Sequence, residues 1–151
     1  AYCPIENELP KLLSKNFQFE FDARLSGFAN TQSRVIIVIK FRYIDTNNFY
    51  AIYFRSDGSY GMNLIYNGQT EILKSVTKTT GLFQGDKLNK YKIVAQDHRY
   101  QIFFNDERLA QLEDGNLLGE GRIFVVTQFY TADTPENAIV EYDNFIVTEI
   151  K

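Results

Sequence analysis

The chain has 151 residues, with 13 Phe, 10 Tyr, no Trp and a formal charge of -3. That length is one domain with room for a real core, and no basic stripe marks a nucleic-acid footprint. No stretch approaches the roughly 18 consecutive apolar residues of a membrane span, so no membrane insertion is expected. Cys3 is the only cysteine, which excludes an internal disulfide and leaves the compartment open. Ala1 in place of an initiator Met points to a processed product or a piece of a longer protein.

Residues 1–15 are expected to be an N-terminal extension, in which Glu6 to Leu13 has room for only a turn or two of helix before Pro10 limits it. From residue 16 the pattern has period two. Phe17, Phe19, Phe21, Ala23 and Leu25 alternate with Gln18, Glu20, Asp22 and Arg24, as in a strand with one wet face. Residues 34–44 are apolar on both parities, as in a central strand whose second face is partly covered. A tail such as Pro4–Leu13 is a candidate cover. Residues 48–56 and 59–67 are aromatic-rich strands joined at Asp57-Gly58, and Asn67-Gly68 closes the second. Asx-Gly pairs supply the positive φ that hairpin turns demand. Further strands are predicted near 69–78, 90–97, 99–105, 107–113, 121–130 and 139–150. Many short strands with turn signals between them make an antiparallel β-sandwich or barrel.

The order of these elements carries a resemblance. Residues 91–109, with Asn105-Asp106 at their turn, resemble a strand pair of the concanavalin A-like (laminin-G-like) lectin and glucanase jelly rolls. Gly119, Gly121, Arg122, Ile123 and Phe124 are similar to the step that follows it, and residues 140–147 to the closing strand. The resemblance spans roughly residues 16–150 and implies an all-β jelly roll of two packed antiparallel sheets over 16–151. It also implies a lectin-like function, most simply a non-catalytic carbohydrate-binding module of a larger protein. Relatives that cleave glycans by retention hold two carboxylates about 5–5.5 Å apart. The laminarinase-like branch writes its acids on one strand as E-x-D-x-x-E. Here Glu20-Asp22 and Glu141-Asp143 each supply two of the three, and the third is absent from both. Alginate-lyase-like jelly rolls use a Gln-x-His, whereas the sole His98 falls in a hairpin turn. No enzyme activity and no cofactor are expected. Family members often carry a structural calcium, for which Asp143 is the matching ligand. The competing expectation is that Asp143 and Asn144 bond local backbone at a bulge.

Parity divides the remaining candidates. Tyr50, Ile52, Phe54, Met62 and Leu64 are expected inside, as are Val35, Ile37, Ile39, Phe41 and Tyr43. Lys40, Arg42, Tyr53 and Arg55 then share the opposite surface, expected to be the concave one, joined by Asn63, Gln128 and Tyr130. A Tyr flanked by Arg and amides suits a sugar or an anion, because aromatic faces stack on sugar C–H and guanidinium forks grip carboxylate or sulfate. The alternative partner is another protein domain docked on the same face. A diverged glycan-cleaving enzyme is the third possibility.

Overall fold

The computed structural model describes residues 5–8, 14–27, 34–79, 87–130 and 139–151, with backbone alone for 5–8, 34 and 130. Eleven strands occupy the described residues: β1 (Ile5–Glu8), β2 (Phe17–Ser26), β3 (Arg34–Asp45), β4 (Asn48–Arg55), β5 (Ser59–Tyr66), β6 (Gln69–Lys78), β7 (Leu88–Gln96), β8 (Arg99–Phe104), β9 (Glu107–Glu113), β10 (Arg122–Tyr130) and β11 (Ile139–Glu149). They form two antiparallel sheets, one ordered β1-β10-β3-β4-β5-β6 and the other β11-β2-β7-β8-β9. This is the all-β sandwich that the period-two pattern predicts.

The inward parity of each strand meets the other sheet. Phe17, Phe19 and Phe21 of β2 pack with Val35, Ile37, Ile39 and Phe41 of β3, all essentially without solvent contact. Tyr50, Ile52, Phe54, Met62 and Leu64 are likewise fully buried. Rings interlock between the sheets, Phe17 edge-on to Phe41 at 5.9 Å and Phe54 edge-on to Tyr91 at 4.9 Å. Each large apolar side chain so buried contributes about 1.5–3 kcal/mol. The turns match their chemistry. Asn67 and Gly68 both have positive φ (51° and 76°) in a two-residue turn, whereas Ser56-Asp57-Gly58 is a three-residue loop with Gly58 left-handed at 88°.

Two expectations on β3 are corrected. Arg42 has φ 45°, and between Phe41 and Asp45 the strand advances four residues while β4 advances only two, from Tyr50 to Asn48. This bulge reverses parity beyond Phe41. Arg42 therefore turns inward and is 1% exposed, while Tyr43, expected in the core, turns outward among Phe49 and Phe124. The bulge is held from outside by Gly121, where a Cβ would stand 2.3 Å from the Arg42 carbonyl carbon. Only glycine permits that approach.

The buried guanidinium acts as a plug at one end of the sandwich. Nε and Nη2 donate to the Lys15 carbonyl (3.1 and 2.8 Å), and Nη1 donates to the Asp97 and Leu117 carbonyls (2.7 and 2.9 Å) and to the Tyr100 hydroxyl (2.7 Å). Beside it, the Tyr50 hydroxyl donates to Asp114 (2.5 Å) and accepts from the Leu117 N–H (3.1 Å). One cation thus ties together the chain near 15, 97, 100 and 117. The N-terminal stretch also differs from expectation. Ile5–Glu8 pairs with β10 as an edge strand, because the open edge of β10 offers hydrogen bonds that a helical turn ended by Pro10 cannot match. It extends the sheet instead of covering it; Cys3, Pro4 and Leu9–Leu13 lie outside the described residues.

Candidate functional site

The outer face of the six-stranded sheet can be read row by row from its register. In one row Ile36 lies between Gln128 and Arg55. In the next, Val38 lies between Val126 and Tyr53, and Tyr53 is opposite Gly61. In the third, Phe124, Lys40, Ala51 and Asn63 follow one another across four strands. The structure thus brings Lys40, Tyr53, Arg55, Asn63 and Gln128 onto one surface. It removes Arg42 from that set, since the bulge buries it in the plug. The backbone of Tyr130 lies on β10 opposite Arg34, and its side chain is outside the described residues.

Tyr53 lies flat across the next strand. A Cβ on Gly61 would be 2.3 Å from the Tyr53 hydroxyl, so the glycine leaves the groove that the ring fills. A glycine inside a strand is the sequence signal for such close approach, and Gly61 was not among the expected site residues. The Arg55 guanidinium sits 5.2 Å over the Tyr53 ring. Burial raises the Tyr53 phenol pKa, while the positive charge of Arg55 lowers it in part. Two polar atoms here are buried with no hydrogen-bond partner among the described residues, Arg55 Nε and Asn63 Oδ1.

The rest of the face is apolar with cations laid over it. Val38, Phe49, Ala51, Phe124 and Val126 form a second cluster, backed by Ile36, Tyr43 and Ile65. Lys40 Nζ is 5.0 Å from the Phe49 ring centre and 5.7 Å from that of Phe124, and Arg122 is 5.2 Å from that of Tyr43.

Known structures share this arrangement of sheets. The carbohydrate-binding module CBM66 from Bacillus subtilis has a TM-score of 0.66 at 18% identity, over 91% of this chain and 77% of its own. Sheep galectin-11, solved with glycerol, has a TM-score of 0.60 at 13% identity, over 93% of this chain and 96% of its own. A Bacteroides ovatus mixed-linkage-glucan GH16 protein, solved with an oligosaccharide product, has 0.63 at 9% identity, over 83% of this chain and 60% of its own. The fold is the concanavalin A-like jelly roll. No family model and no curated protein sequence matches the chain.

Within this jelly roll the other candidate residues lie on the five-stranded sheet and are engaged locally. Glu141 pairs with Arg24 at 3.9 Å, and Asp22 accepts from the Asn144 side-chain amide at 2.7 Å. Asp143 accepts from the Asn144 N–H at 2.7 Å, where φ of Asn144 is 55° and the β11–β2 register slips. Its carboxylate caps a bulge, and no cluster of three His, Cys, Asp or Glu suited to a metal occurs among the described residues. His98 is in the β7–β8 turn with Nε2 3.9 Å from Glu113. Among the described residues, no helix is long and apolar enough to cross a membrane.

Proposed function

We propose that the chain is a non-catalytic binding module of a larger protein, with a carbohydrate seated on the outer face of the six-stranded sheet around Tyr53, Arg55, Asn63 and Lys40. The observation that carries this is the pair of buried, unpartnered polar atoms, Arg55 Nε and Asn63 Oδ1, on one surface with Tyr53. A buried polar group without a partner costs about 1–3 kcal/mol, and a hydroxyl-rich ligand whose arrival shifts these side chains recovers that cost. The fold supports the reading, since a solved carbohydrate-binding module and galectins are built the same way. The non-catalytic reading is supported by the acids: the paired carboxylates belong to the opposite sheet, where Glu141 pairs with Arg24 and Asp22 and Asp143 accept from Asn144.

The test is a glycan array probed with the protein, in calcium and in chelator. Binding that disappears in Arg55→Ala and Tyr53→Ala supports the module. Hydrolysis of a bound glycan, abolished by Glu20→Gln or Glu141→Gln, would show an enzyme instead. A second reading is favoured by the apolar cluster at Val38, Phe49, Ala51, Phe124 and Val126. A protein domain docked there would bury it, and silence on the array with recovery of one stoichiometric protein partner would establish that reading.

A further inference from the structure

We infer that the ligand is an acidic glycan, one whose sugars carry carboxylate or sulfate groups, with its anions held by Arg55 and Lys40. This deepens the carbohydrate reading and rests on it. A neutral sugar binds an aromatic side chain by laying C–H groups on the ring face. On this surface four rings are already faced by a cation: Tyr53 by Arg55, Phe49 and Phe124 by Lys40, and Tyr43 by Arg122. A neutral sugar would have to displace a guanidinium or an ammonium from each. An anionic one is drawn to the same groups and leaves the cation–π contacts in place.

The ion pairs point the same way. Among the described residues, the salt bridges of Arg24, Lys90, His98 and Arg99 all belong to the five-stranded sheet. Arg55 and Lys40 contact rings and no described carboxylate. The acid nearest Arg55 in sequence is Asp57, whose carboxylate accepts from the Ser59 N–H and hydroxyl (2.9 and 2.6 Å), and the acids nearest Lys40 in register are Glu6 and Glu8 on the edge strand β1, opposite Val126 and Phe124. Glu6 and Glu8 stand two strands from Lys40, about 10 Å at the usual strand spacing, beyond the screening length of about 8 Å at physiological salt. Arg55 and Lys40 are one strand and four residues apart in register, roughly 14 Å between Cα atoms at ordinary strand rise and spacing. Two cations so separated suit charges on different sugars of a chain better than one small anion. The chain's own charge of -3 opposes indiscriminate polyanion binding, so any affinity must come from local geometry.

The experiment is affinity electrophoresis and titration calorimetry against polygalacturonate, dextran sulfate and neutral dextran, at low and at physiological salt. Binding is expected to one or both polyanions, weaker at higher salt, and not to dextran; the two polyanions separate carboxylate from sulfate recognition. Arg55→Met is expected to lower affinity about tenfold or more and Lys40→Met several-fold, since a charge-assisted hydrogen bond is worth about that. Lys92→Met removes a cation lying 4.4 Å over Phe103 on the other sheet, and is expected to change nothing. Equal losses in Arg55→Met and Lys92→Met would overturn the inference. So would binding of neutral glycans alone, which leaves the carbohydrate reading standing. Silence toward every glycan, neutral or charged, in both this titration and the array would overturn both.

Discussion

Arg42 and Arg55 lie on neighbouring strands, both on the outward parity of the sequence pattern, and the structure treats them in opposite ways. The guanidinium of Arg42 is closed in at the end of the sandwich, with acceptors at Lys15, Asp97, Tyr100 and Leu117. Arg55 lies on the open face of the sheet over Tyr53, with Nε buried and no hydrogen-bond partner for it among the described residues. A buried polar group that is fully satisfied makes scaffold. One that is left wanting, beside an aromatic and a second unpartnered atom, is where the proposed ligand would sit. On the proposed reading, the same side chain reports stability at one position and function at the other.

The sharpest way to break that comparison is Arg42→Met. Removing the donors strands several buried carbonyls, and the loss is expected to be about 3–5 kcal/mol. In a domain of this size that lowers Tm by roughly 10 °C, read by calorimetry or urea unfolding. Glycan binding at Arg55 should persist wherever the variant remains folded.

Alkaline titration probes the scaffold side again. Burial raises the phenol pKa of Tyr50, Tyr91 and Tyr100, and that of Tyr142 to about 12, with Thr127 beside the Tyr142 hydroxyl. A raised folded-state pKa favours the neutral phenol in the folded protein. The stability it carries is complete below pH 10, the unfolded value, and is lost as pH rises toward about 12. Unfolding monitored by circular dichroism against pH should therefore set in above pH 10, together with phenolate absorbance. Phenolate absorbance from these tyrosines near pH 10 with the fold intact would contradict it.

Gly61→Ala tests the groove itself. The new methyl meets the Tyr53 ring and the Lys74 carbonyl (2.9 Å), so Tyr53 must move, at about 1–3 kcal/mol. Glycan affinity should fall with it. The smallest expected effect on stability is that of Arg55→Ala, within about 0.5 kcal/mol of the parent, because Nε has no hydrogen-bond partner among the described residues and the guanidinium lies over the Tyr53 ring at the surface of the sheet.

Much of the sandwich was legible in the sequence because alternation is a local signal. Phe17 to Leu25 and Tyr50 to Phe54 could be assigned to the core from parity alone, and Asn67-Gly68 announced its turn. The bulge at Arg42 was not legible, since apolar and cationic residues continue to alternate through it. Only the close approach of Gly121, from a segment about eighty residues away, fixes that backbone. Strand β1 was hidden for a related reason, as its partner β10 lies at the far end of the chain. On the candidate surface, parity was enough to group Tyr53 with Arg55, and neighbouring strands brought Lys40 and Asn63 to them. That the rings are faced by cations was beyond reach, because Lys40 over Phe124 depends on a register set between β3 and β10.

The most direct test pairs two measurements on one variant: array binding and urea unfolding of Arg55→Ala beside the unmodified chain. Loss of glycan binding with an unchanged unfolding midpoint is the predicted result. Retained binding, or destabilisation on the scale of Arg42→Met, would contradict the assignment of Arg55 to a ligand site.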